Sequence, residues 1–212
     1  MKQWDEIFGK KGKTFLKPQE DISRIAKLFK KKGVKKILDL GCGSGRHTVY
    51  LVEHSFEVYG IDIAPKGVKI TKDWLKKEKL KANLKVGNIY KKLPYPNHFF
   101  DALISTQTLH HNRINNIRKL IKEIERVLKT NGLIFVTVSK KGSKKAIPKE
   151  KMWQIKFIAP RTFVPLSHDE KGLIHYRFNK KLLRKEFKNF KIYDIWIEAK
   201  GRHYCLLAKL KK

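Results

Sequence analysis

The chain has 212 residues, 41% of them hydrophobic, enough for one domain with a full-sized core. Lys and Arg number 50 against 19 Asp and Glu, a formal net charge of +31. No apolar run approaches a membrane span, the polar start Met1-Lys2-Gln3-Trp4-Asp5-Glu6 is not a secretion signal, and two cysteines, Cys42 and Cys205, make no disulfide framework, so a cytoplasmic protein is expected. Heat adaptation raises Glu alongside Lys and does not explain this imbalance. A polyanionic partner does, with nucleic acid favoured. A membrane surface fits less well, because no basic amphipathic helix stands apart from the fold.

Residues 1–17 hold Trp4, Phe8 and Phe15 without strand or long-helix periodicity. They read either as an apolar patch over the domain edge or as a lid over a ligand. Pro18 predicts a helix start, with Glu20 and Asp21 in the first turn, Gly33 past the end, and Ile22, Ile25, Ala26, Leu28 and Phe29 on the buried face. The apolar run Ile37-Leu38 ends in Asp39-Leu40-Gly41-Cys42-Gly43-Ser44-Gly45, and a helical pattern carried by Thr48, Val49, Leu51 and Val52 follows. A short apolar strand leading directly into a helix predicts a parallel sheet with helical crossovers. Alternate glycines turn the backbone tightly and leave room for a ligand, while the helix start offers free N–H groups and a positive dipole end. Phe56 to Asp62 reads as a second strand closing on a carboxylate placed to accept two ribose hydroxyls. The stretch predicts a nucleoside-cofactor site, and its glycine spacing differs from the dinucleotide pattern G-x-G-x-x-G.

Ala64-Pro65 starts a third helix, in which Trp74 is expected to be core or half-buried. Leu84 to Val86 is a short strand ending at Gly87-Asn88-Ile89. The segment Tyr95 to Ser105 turns into a fourth strand, and Thr106-Gln107-Thr108-Leu109-His110-His111-Asn112-Arg113 follows its carboxyl end, where open α/β sheets bind ligands. Ile117, Leu120, Ile121, Ile124, Val127 and Leu128 stripe a helix, and Asn131-Gly132 turns into a fifth strand, Leu133 to Val138. Residues 139–165 form a basic insertion whose first part, to Lys151, is expected to be irregular. A strand near Tyr176, a helix around Leu182 to Phe187, and a hairpin of Ile192–Ile197 with His203–Leu210 across Ala199-Lys200-Gly201 complete the chain.

The run Asp39 to Gly45, an acid closing the next strand, and the segment Phe99-Phe100-Asp101-Ala102-Leu103-Ile104 together resemble the class I S-adenosylmethionine-dependent methyltransferases, more narrowly small archaeal proteins of the type-11 group. The resemblance implies an α/β Rossmann-like fold: a seven-stranded, mostly parallel sheet with helices on both faces and an antiparallel last strand. The expected organisation is a lid-like segment, 1–17, and a single domain, 18–212. It further implies that S-adenosylmethionine is held by Asp39, Gly41, Cys42, Gly43 and Gly45, by Asp62 at the ribose, by Ile63, Asn88 and Ile89 around adenine, and by Gln107 and Leu109 near the sulfonium. Asn88 replaces the family's usual acid; its side-chain carbonyl can accept the same bond without charge.

Methyl transfer is an in-line displacement governed by positioning. His110 and His111 are the candidate acid–base or positioning groups, with capping of the next helix as the alternative. His175, Tyr176, His203 and Tyr204 could reach the same pocket. Neighbouring residues on a helix point about 100° apart, so no metal is expected at the His pair. Basic residues interleaved with aromatics suit a stacked, phosphate-bearing substrate, which nominates Lys140, Lys141, Lys144, Lys145, Trp153, Arg161 and Tyr176. Carbon-5 methylation of a pyrimidine is disfavoured, since neither cysteine stands beside the acceptor position, and the Asp/Asn-Pro-Pro-aromatic box of many amine methylases is absent. The expectation is a methyltransferase acting on ribosomal or transfer RNA, cytidine N4 being the narrowest guess. A small-molecule methyltransferase and a non-catalytic RNA- or ribosome-binding protein are the alternatives.

Overall fold

The computed structural model describes residues 2–13, 16–140 and 154–211. Strands β1 (Lys36–Leu40), β2 (Glu57–Asp62), β3 (Asn83–Val86), β4 (Phe100–Thr106) and β5 (Leu128–Ser139) pair in parallel in the order β3-β2-β1-β4-β5. β9 (Phe190–Ile197) and β10 (His203–Leu210) form the hairpin read from Ala199-Lys200-Gly201, and β10 docks antiparallel on β5, giving the expected seven strands.

Period-2 alternation sorts the central side chains into two cores. Leu38, Leu40, Leu103, Ile134, Val136 and Leu206 face α5 (Ile114–Val127) and α6 (Lys180–Glu186). Ile37, Ala102, Ile104, Phe135 and Leu207 face α2 (Ile22–Lys31) and α3 (Arg46–Glu53). Strands buried on both faces must be apolar throughout, which is why β1 and β4 read as continuous runs. Phe29 lies fully buried in the second core, and truncating a ring so placed costs about 3–5 kcal/mol. α4 (Pro65–Lys77) packs beside α3 and β2, starting at Pro65 as the sequence predicts.

Three elements depart from expectation. Residues Lys2–Lys11 form a helix, α1, despite their weak periodicity. Its order comes from contact: Phe8 is buried against Gly43 and Gly67, and the Asp5 carboxylate accepts from Lys66 N at 2.7 Å at the start of α4. α2 begins four residues after Pro18, because Gln19 and Glu20 form a turn in which Ile22 N donates to Gln19 O and Asp21 N to Gln19 Oε1. The second half of the basic insertion is ordered as two strands, β6 (Ile155–Ala159) and β7 (Thr162–Pro165), which join the strand expected near Tyr176, β8 (His175–Tyr176), in a separate three-stranded sheet. Its buried residues lie in β7 and β8 while β6 is half-exposed, so no period-2 alternation marked the stretch.

Candidate active site

β1 delivers the chain into a turn with positive φ at Gly41, Gly43 and Gly45. Gly41 N and Cys42 N donate to Ile61 O, fastening the turn to β2. A Cβ on Gly41 would run into the Thr108 side chain from the loop after β4, and one on Gly43 would meet the Phe8 ring at 3.0 Å. Both positions therefore need glycine for space as well as for backbone conformation. Cys42 points away into the sheet against Gly60 and Leu84, and burial pushes its thiol pKa well up, so it contributes only backbone to the turn.

Asp62 closes β2 with both oxygens engaged, Oδ2 accepting from Gly43 N and Oδ1 from Ala64 N, each at 2.9 Å. Burial raises its pKa, opposed by those backbone donors. Asp39 is buried deeper. Its Oδ2 accepts from Thr48 Oγ1 at 2.7 Å, while Oδ1 has no partner among the described residues. Burial, with Asp62 close by, pushes the Asp39 carboxyl up to about 7.

Ile89 and Leu109 bury their side chains in the first core, so backbone is what they offer the cleft; Ile63 is only partly buried. The Asn88 carbonyl oxygen accepts from Tyr90 N at 2.9 Å, so any ligand bond to it shares that acceptor. Gln107 takes a positive φ of 57° and donates its N–H to Thr137 Oγ1. Sequence reasoning missed two neighbours. Tyr90 Oη donates to the carbonyls of Thr108 and Leu109, and Arg46 reaches toward Gln107 Oε1 and Lys17 O at 3.5 Å. Arg46, directly after the glycine run at the start of α3, was the more legible of the two.

His110 and His111 do not cap α5: the N-cap residue is Arg113, and no side chain caps the helix. They lie in the turn after β4 with ring centroids 4.3 Å apart. The fold brings His175 from β8 to 4.5 Å from His111, and His203 from β10 to 5.9 Å from His110. Tyr176 N donates to His110 O, locking the small sheet to this turn. Burial pulls the His110 pKa well below the usual imidazole value and that of His111 down to about 4. Trp4 of α1 meets His111 edge-on at 5.4 Å and stacks on Phe8, so α1 spans from the glycine turn to the histidines. Gln3 bonds Lys171 O and Lys11 pairs with Asp169, tying α1 to the loop before β8.

Of the nominated substrate residues, Arg161 and Tyr176 come together with Arg113 around a cleft of about 370 Å³. Lys140 is bound by its Nζ to Gly201 O at 2.8 Å and faces the hairpin turn. Lys141, Lys144, Lys145 and Trp153 lie outside the described residues, as does Phe15. Arg177, which the sequence reading did not nominate, lies over the rings of Phe163 and the exposed Phe157, at 4.4 and 5.3 Å.

Residues 38–136 match the family model described as "Methyltransferase domain". The ubiquinone biosynthesis O-methyltransferase of Pelagibacter ubique is 32% identical over 109 residues, 51% of this chain and 44% of that protein. The tRNA (carboxymethyluridine(34)-5-O)-methyltransferase of Arabidopsis thaliana is 38% identical over 103 residues, 48% of this chain and 23% of that protein. The chain thus spans about half the length, or less, of these curated relatives. A crystal structure of a protein from Pyrococcus horikoshii OT3 superposes with a TM-score of 0.76 at 22% identity, covering 97% of this chain and 99% of that one, and shares the fold. With its glycine turn, its closing acid and its strand order, the segment 38–136 is a class I, S-adenosylmethionine-dependent methyltransferase domain.

Proposed function

We propose that the chain methylates RNA, transfer RNA being the favoured substrate, at the cleft between the glycine turn and the small sheet. The observation that carries this reading is the net charge of +31 on a chain whose small sheet sets Arg177 over the exposed ring of Phe157 and the buried ring of Phe163. Lysines and arginines supply the phosphate term of RNA affinity, and rings such as Phe157 supply stacking for unpaired bases. The tRNA-modifying name of the Arabidopsis relative supports the same reading.

The cofactor supplies an electrophilic methyl group on a sulfonium, and in this reading the protein supplies position. The unpartnered, buried Asp39 Oδ1 fits a cationic amino group, and Arg46 stands where an anionic carboxylate would meet it. Asp62 takes the ribose hydroxyls on lone pairs left by its two backbone bonds, and Asn88, with the backbone of Ile63 and Ile89, meets adenine. Gln107 and Leu109 present backbone to the reacting sulfur. His110 and His111 orient the acceptor, and α1 acts as the lid through Trp4 and Phe8.

Transfer of labelled methyl groups to RNA fractions, followed by nucleoside analysis, tests this. One labelled nucleoside in transfer RNA is the expected result; label as N4-methylcytidine in ribosomal RNA would move the substrate within the same class. The name of the ubiquinone-biosynthesis relative favours a second reading, methylation of a small molecule. Intact cofactor binding with no label in any RNA fraction would replace the first reading with the second.

A further inference from the structure

Three imidazoles, those of His110 and His175 buried and that of His111 partly buried, converge where the β4 turn meets the small sheet. One nitrogen from each of His110, His111 and His175 lies within 4.8 Å of the others. The expectation of no metal rested on helical geometry, but His110 and His111 occupy a turn, where successive side chains can converge. The third histidine arrives on β8, so no local spacing announced it.

The hydrogen bonding separates this group from an ordinary satisfied cluster. His111 Nε2 lies 3.0 Å from the Gln107 carbonyl, to which it must donate, so its Nδ1 carries a lone pair. That Nδ1 and the Nδ1 of His110 are buried without a partner among the described residues. Leaving two buried polar atoms unmatched costs about 1–3 kcal/mol each. An imidazole whose far nitrogen donates to a backbone carbonyl is the arrangement that fixes the tautomer of a metal-binding histidine. A carboxylate is also present: Glu170 Oε2 lies 3.0 Å from His175 Nε2.

We propose that His110, His111 and His175, with Glu170 as the anionic partner, form a site for one divalent cation of the zinc class. Three nitrogen donors with a carboxylate suit zinc and its transition-metal neighbours rather than magnesium or calcium. Three protein ligands leave a position for an oxygen donor, and the site lies next to Gln107 and Trp4, on the acceptor side of the cleft. The cation would clamp the small sheet to the β4 turn and offer that position to an oxygen of the methyl acceptor. The proposal does not depend on RNA being the substrate.

The test uses the full chain, stripped by chelator, with neither RNA nor cofactor present. Titration with Zn²⁺ followed by calorimetry should give about one ion per chain, and Co²⁺ should produce visible absorption without a thiolate band. His111→Gln and His175→Gln should each weaken binding by roughly 10–100-fold, while His54→Gln, on the far end of α3, should leave it unchanged. Binding that survives both substitutions, or none in the parent chain, overturns the site. Should the variants fail to fold, histidine acylation of the parent chain decides: Zn²⁺ should protect His110, His111 and His175, and equal modification with and without it overturns the proposal.

Discussion

The two sides of the cleft are built by different means. On the side proposed for the cofactor, a continuous stretch from β1 to β2 is shaped by backbone: left-handed glycines, N–H groups on Ile61 O and Asp62, and side chains excluded by close approach. On the side proposed for the acceptor, side chains distant in sequence meet, His110 and His111 with His175 and Trp4. Backbone machinery leaves a spaced signature in sequence. Side-chain machinery assembled across elements leaves single residues that gain meaning only in the fold.

Substitutions should separate the two sides, and the largest effect belongs to Gly41→Ala. It forces a left-handed residue to carry a Cβ into Thr108, so cofactor binding should vanish in calorimetry and unfolding should become easier by about 2–4 kcal/mol. A stable variant with normal binding would show that the turn has room to spare.

Asp39→Asn should act in opposite directions on binding and stability. The carboxyl titrates near 7 in the fold against 3.8 when free, so the folded chain holds the proton more tightly and loses stability as pH rises from about 4 through 7. At about pH 8 the Asn variant should be the more stable, by on the order of 2–4 kcal/mol, and near pH 4 the difference should vanish. Its cofactor affinity should fall at least about tenfold at the higher pH, because the neutral amide no longer meets a cation. Parent-chain affinity should itself weaken below pH 7. A melting difference that does not change with pH would remove Asp39 from this account.

Trp4→Ala sharpens the boundary, since α1 touches both sides. Cofactor release should accelerate several-fold in stopped-flow measurements, with at most about 2 kcal/mol lost in stability; unchanged release would make α1 a packing element and not a lid. The smallest effect is expected from Arg161→Ala. RNA affinity should fall modestly and the salt slope by about one, with cofactor binding untouched. An unaltered salt slope would take Arg161 off the RNA path.

The same asymmetry explains what was legible in sequence. The seven-stranded sheet, the strand ends at Leu40 and Asp62, and the hairpin across Gly201 follow from apolar runs punctuated by glycine, signals local to each element. The helix α1 was hidden because its order comes from Phe8 and Asp5 meeting residues near 43 and 66 rather than from its own pattern. Strands β6 and β7 were hidden because their burial follows no period-2 alternation. Arg177 and Tyr90 were hidden for a third reason: each acts through partners many positions away.

The strand order also dictates a sequence of events in folding. β10, late in the chain, is an interior strand wedged between β5 and β9. Until residues 203–210 are available, the outer edge of β5, lined by Leu133 to Val138, has no neighbour. During synthesis the parallel half can pair while one long apolar edge stays open to other chains. Closure depends on contacts made last and across the longest loops, which slows it. Loss of β10 alone would therefore unpair two strands at once, and aggregation through β5 is the failure this architecture makes easiest.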